Sequence, residues 1–93
     1  GFRLPPSAGG VFVEGQVLTA DGAGIRNVRV LLTEEDGTVH AAITGAFGYF
    51  AFEDIEAGQT VMLEVSAKRF TFPAPVRTLA LHDNVTGINF VAD

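Results

Sequence analysis

The sequence predicts an all-β domain, about seven strands folded as an antiparallel sandwich of two sheets, and three observations carry that prediction. Apolar residues recur at every second position through several short stretches, as half-buried strands require. Asp-Gly and other glycine-bearing turn signals separate those stretches. No window offers a helical pattern, because β-branched and aromatic residues dominate and glycine keeps interrupting. Short strands at this spacing with no helices between them close best as two packed sheets.

Taken in order, the first ten residues, GFRLPPSAGG, hold Pro5-Pro6 and Gly9-Gly10 and no periodic pattern, so 1–10 reads as a linker and 11–93 as the domain. Val11, Val13, Gly15 and Val17 open the alternation; Val28, Val30 and Leu32 continue it, followed by Val61, Leu63 and Val65, by Leu79 and Leu81, and by Ile88 and Phe90. Strands are expected near 11–19, 27–33, 38–44, 48–54, 60–67, 76–82 and 86–91. Turns are expected at 20–27, 34–38, 56–59 and 82–87. Pro73 and Pro75 cannot donate to a ladder, which places 67–75 at an edge or in a connection.

Composition narrows the function classes. The chain has 93 residues, enough for one domain whose folding hides only about 60–65% of its open-chain surface. With 47% hydrophobic residues it is too apolar to be disordered, and no apolar run approaches the ~20 residues of a membrane helix. It has no Cys, so neither a disulfide nor a thiolate metal site staples the core. A net charge of −5 and six scattered cations, Arg3, Arg26, Arg29, Lys68, Arg69 and Arg77, argue against nucleic acid as a partner. A start on Gly1 without a signal-like leader suggests an excised segment or a processed product.

The runs VEGQVLTADGAGIRNVRVLL (13–32), TGAFGYFAFEDIEAGQTVMLEVSAKRFTF (44–72) and TGINFVA (86–92) resemble the carboxypeptidase regulatory-like domains. The resemblance rests on Gly15, the turn from Asp21 to Ile25, the Asn27–Val30 strand, and Thr44, Gly48, Phe50, Phe52 and Gly58. It implies an Ig-like or prealbumin-like sandwich, a bacterial module of a larger cell-surface or secreted protein, and no shared active site. The pilus-type relatives form a Lys–Asn cross-link beside an acidic residue. Glu64 and Asn89 resemble two of its members, but the first strand has no Lys, and the chain's one Lys is Lys68. The Tyr-Arg-Gly-Ser ending of hydroxyisourate-hydrolysing relatives is absent from the final NFVAD.

Catalytic and metal candidates are few. His40 and His82 fall on expected strands, Ser7 lies in the linker and Ser66 near a strand end, so no nucleophile–base arrangement emerges. His82-Asp83 offers two ligands, short of a coordination shell. Glu34, Glu35, Asp36, Asp21, Asp83 and Asn84 could supply oxygen to calcium, yet their spacing is that of residues closing turns. Asn84-Val85-Thr86 has the form of a glycosylation acceptor, which has no meaning in a bacterial module. No cofactor is expected, and no enzymatic activity.

The aromatic stretch FGYFAF (47–52) remains. Alternation turns Phe50 and Phe52 to the core, which should also hold Val30, Leu63, Phe90, Phe70 and Phe72. Phe47 and Tyr49 point the other way and form the candidate binding pair. The expected role is spacing, display or partner binding toward neighbouring domains, a protein or a glycan. A carbohydrate- or peptide-binding domain built on Phe47 and Tyr49 is the alternative.

Overall fold

A computed structural model describes residues 10–93. Seven strands and no helix make up those residues: β1 Gly10–Leu18, β2 Arg29–Thr33, β3 Val39–Ile43, β4 Tyr49–Glu56, β5 Gln59–Ser66, β6 Val76–Leu81 and β7 Val85–Val91. The linker assigned to 1–10 lies outside the described residues except for Gly10, which already pairs with Glu56 as the first residue of β1. One sheet has the order β4-β1-β7 and the other β3-β2-β5-β6. The chain crosses between sheets in the β1–β2, β3–β4, β4–β5 and β6–β7 connections.

Alternation explains which residues fill the space between the sheets. Val13 and Val17 from β1, Val30 and Leu32 from β2, Phe50 and Phe52 from β4, Val61, Leu63 and Val65 from β5 and Phe90 from β7 are all buried. Phe50 stands edge-on to Phe52, with ring centroids 6.0 Å apart and planes at 63°, and lies 6.2 Å from Phe90. Edge-to-face contacts of this kind add about 0.5–1.5 kcal/mol to area burial. Phe72 packs partly buried against this core. Phe70 departs from the expectation: at 37% exposure it lies outside the core. It belongs to the β5–β6 connection, where no strand aims alternate residues inward.

The sandwich is also not wholly antiparallel. β1 pairs antiparallel with β4 but parallel with β7, in register from Val13↔Val85 to Leu18↔Val91. Parallel pairing is open to these two strands because the whole intervening chain serves as their crossover. Two bulges adjust the phase. Opposite Phe12, β4 inserts an extra residue between Phe52 and Ile55, with Asp54 at φ 60°, so Phe50, Phe52 and Ile55 all reach the core. β7 does the same opposite Glu14. There Gly87, at φ 74°, belongs to the strand rather than to the expected 82–87 turn, which spans only 82–84. His82, expected on a strand, is an exposed residue of that bend.

Candidate functional site

Phe47 and Tyr49 are the most exposed large hydrophobic side chains among the described residues, at 75% and 63%. Their backbone is held firmly. Gly45 N–H donates to the Tyr49 carbonyl (3.1 Å) and Gly48 N–H to the Gly45 carbonyl (3.0 Å), closing a turn in which Gly48 takes φ 83°. Val17 N–H donates to the Gly48 carbonyl (2.8 Å), and the Gln16 amide Nε2 donates to the Phe47 carbonyl (2.8 Å). A Cβ at Gly48 would collide with the Val17 carbonyl, so the turn packs directly on β1. Presented on a fixed backbone, such rings lose little conformational entropy on binding.

Cross-strand register extends the aromatic site sideways. Tyr49 is opposite Gln16, and Gln16 is opposite Asn89. One row across the outer face of the three-stranded sheet therefore carries a phenol and two side-chain amides. Val91, 48% exposed, lies two residues beyond Asn89 on the same face. Tyr49 also borders a shallow groove toward β3, shared with Ala42, Ile43 and Glu14.

The loop behind this turn is pinned by Thr44, the single buried polar residue among those described. Its hydroxyl donates to the Ile25 carbonyl (2.6 Å) and accepts from Val28 N–H (2.9 Å), while its own N–H donates to the Val28 carbonyl (2.9 Å). The sequence marks Thr44 only as part of a motif; its place as a peg between two loops needs the fold to be seen.

The other candidates do not converge. Glu64 lies on the outer face of the four-stranded sheet, between Leu31 and Val76, whereas Asn89 is on the outer face of the opposite sheet. The whole core separates the two residues that resemble cross-link partners, and Lys68 lies beyond the end of β5. His40 bonds Glu34 Oε2 through Nε2 at 2.5 Å, and Gln59 Nε2 donates to the other oxygen of Glu34 at 2.9 Å. These bonds hold the Glu34 carboxyl below its ordinary value, the Gln59 amide contributing most and the His40 bond next. Ser66 is exposed at the end of β5, and Ser7 lies outside the described residues. Asp21, Asp36 and Asp83 are engaged with their own loops, and Glu35 with the start of β5. Asp21 accepts from the Thr19 hydroxyl, Asp36 from Thr38 N–H, Glu35 from Thr60 N–H and Asp83 from Asn84 N–H. The hydroxyl of Thr19 lowers the Asp21 carboxyl, and the backbone N–H of Thr38 lowers that of Asp36. Asn84 Oδ1 accepts from Phe12 N–H at 3.0 Å. Among the described residues, no three His, Asp or Glu side chains gather where a metal ion could be held.

One grouping escapes the sequence. The cations look scattered along the chain, but Arg26, Arg29, Lys68 and Arg69 line a single cleft. The β1–β2 loop and the end of β5 come together only because β2 and β5 are neighbours, and no local pattern encodes that.

Two packed β-sheets, with the Gly45–Tyr49 turn tied to β1 by backbone bonds, define a β-sandwich domain. The model of the carboxypeptidase regulatory-like domain matches residues 13–92, and the chain belongs to that family. Among solved structures, the chain is similar to the Bacillus anthracis TIE protein, with a TM-score of 0.72 and 8% identity. That match covers 90% of this chain and 17% of the other, so at this identity it is the fold that is shared. No curated protein matches the chain.

Proposed function

We propose that this domain is a non-catalytic interaction module of a larger bacterial extracytoplasmic protein, serving in spacing, display or partner binding through the surface of Phe47 and Tyr49. The observation that carries this reading is the pairing of high exposure with a rigid backbone at those two residues. Large rings left in water on a pre-organised turn are suited to anchoring a contact. Domains of this family are typically parts of larger proteins, which makes neighbouring domains of the same polypeptide the first partners to consider. The family resemblance is what supports the extracytoplasmic part of this reading.

A second reading, recognition of a carbohydrate or peptide, is favoured by the row Tyr49–Gln16–Asn89. A ring face beside two amides offers stacking together with hydrogen-bond donors and acceptors for hydroxyl or peptide groups. One experiment addresses both. Chemical shifts of the labelled domain are followed on adding flanking domains or a panel of soluble oligosaccharides and peptides, for the wild type and for the double variant Phe47→Ser/Tyr49→Ser. The expected result is a set of shifts at residues 16, 47, 49 and 89 that the variant abolishes while its thermal midpoint stays near that of the wild type. Shifts that persist in the variant, or a variant that no longer folds, would remove these residues from a binding role.

A further inference from the structure

The cleft at the end of the four-stranded sheet has an electrostatic character opposite to that of the molecule. The protein carries a net charge of −5, yet Arg26, Arg29, Lys68 and Arg69 line this opening of about 900 Å³ with no acidic residue among its walls. The one ion pair among the described residues is His40–Glu34, so none of the four cations has a carboxylate within 4.0 Å. Ile43 and Phe70, 56% and 37% exposed, add apolar wall.

The complementary surface is at the other end of the same molecule. β2 runs from Arg29 at the cleft to Thr33, where the Glu34-Glu35-Asp36 hairpin begins. The turns at that end are tied together: Thr60 N–H donates to Glu35, Glu35 N–H to the Gln59 side chain (3.0 Å), and Gly58 N–H to the Leu81 carbonyl (2.7 Å). Glu56, at the end of β4, and Asp83, in the β6–β7 bend, belong to the same end of the sandwich.

We propose that the basic cleft receives the acidic end of a second copy of this chain, so that molecules associate head to tail. The two patches lie at opposite ends, so neither can meet the other within one molecule. Such a contact is heterologous and can propagate. Arg26, Arg29 and Arg69 offer planar forks that take carboxylates bidentately, while Ile43 and Phe70 exclude water around those bonds. A long polyanion suits the cleft less well, because it would run on past it over a surface that is negative in net charge. The inference rests on reading the domain as an interaction module, but it uses side chains other than Phe47 and Tyr49.

The test is sedimentation velocity over a range of concentrations, with thermal melts of every variant. The wild type is expected to self-associate, about tenfold more weakly at about 0.5 M NaCl than at about 0.05 M. Arg26→Glu/Arg69→Glu, which blocks the cleft, and Asp36→Lys/Glu56→Lys, which blocks the acidic end, should each be monomeric and folded. Mixed together, they retain one good cleft and one good acidic end, and should form dimers that grow no further. The milder pair Asp36→Asn/Glu56→Gln should weaken association in the same direction if the lysine variant unfolds. A wild type that stays monomeric at low salt overturns the proposal, as does association indifferent to salt or to both pairs. Capture of a polyglutamate peptide by the cleft without self-association overturns it as well. A monomer that still binds through Phe47 and Tyr49 would remove this inference and leave the proposed function standing.

Discussion

Gly15 sits where β1 is squeezed between two strands, opposite Phe50 on one side and Ile88 on the other. A Cβ there would overlap the Ile88 carbonyl oxygen and stand 2.7 Å from Phe50 Cζ. The missing side chain is what lets the Phe50 ring lie across the strand. Gly15→Ala is therefore expected to cost at least 1–3 kcal/mol, roughly the penalty of overpacking a close-packed core, read as a drop in the denaturant midpoint. Glu34 gives a pH-dependent counterpart. Its folded carboxyl is held below its ordinary value of 4.5, so its contribution is complete above that value and is lost as pH falls through the lower folded one. In melts taken from about pH 5 down to about pH 3, the wild type should lose more stability than Glu34→Gln, by on the order of 1 kcal/mol or less. The difference between the two proteins is the informative quantity, because the Asp21 and Asp36 carboxyls are held below their ordinary value too.

At the level of the element, β4 shows what alternation can and cannot disclose. Phe50 and Phe52 are separated by one residue, and their shared inward face is legible from that spacing alone. Ile55 is out of phase with them, and reading β4 as ending at residue 54 hides the problem. The strand runs on to Glu56 because Asp54 adopts φ 60° and absorbs the extra residue in a bulge. Asp tolerates that conformation better than most residues, through local hydrogen bonding of its short side chain. Asp54→Val should destabilise by about 1–2 kcal/mol, whereas Asp54→Gly should stay near the wild type or exceed it. A thermal melt compares them. Bulges and strand direction are properties of a pair of strands, so a single strand's periodicity is silent about both. The parallel pairing of β1 with β7 leaves no trace in the sequence pattern for that reason. Phe70 falls outside the expected core for a related reason: a loop residue has no phase from which to infer a facing direction.

Across the whole molecule, the fold class and the strand count were readable, because two-residue periodicity, turn glycines and the lack of helical pattern all agree. Exposure of Phe47 and Tyr49 follows from the same periodicity together with the turn at Gly48. Their amide neighbours Gln16 and Asn89, and the meeting of Arg26 and Arg29 with Lys68 and Arg69, depend on which strands lie side by side. Charge along the chain gives no hint that Arg26, Arg29, Lys68 and Arg69 line one cleft at the end of the sandwich opposite the Glu34-Glu35-Asp36 hairpin.

The parallel ladder between β1 and β7 also governs how the domain would respond to force. Both strands run from the acidic end to the cationic end, so Gly10 and Val91 lie at opposite ends of the sandwich. Tension applied through flanking chain would pull along the strands in opposite directions. The bonds from Val13↔Val85 to Leu18↔Val91, with Ala92 N–H to the Leu18 carbonyl at 2.8 Å, would then be loaded together in shear. A hairpin peeled from its open end gives way one bond at a time, whereas a sheared ladder shares the load until it fails as a unit. Forced unfolding is limited by the rate of crossing that barrier rather than by equilibrium stability. A module of modest thermal stability can therefore still be a stiff link in a polypeptide under tension.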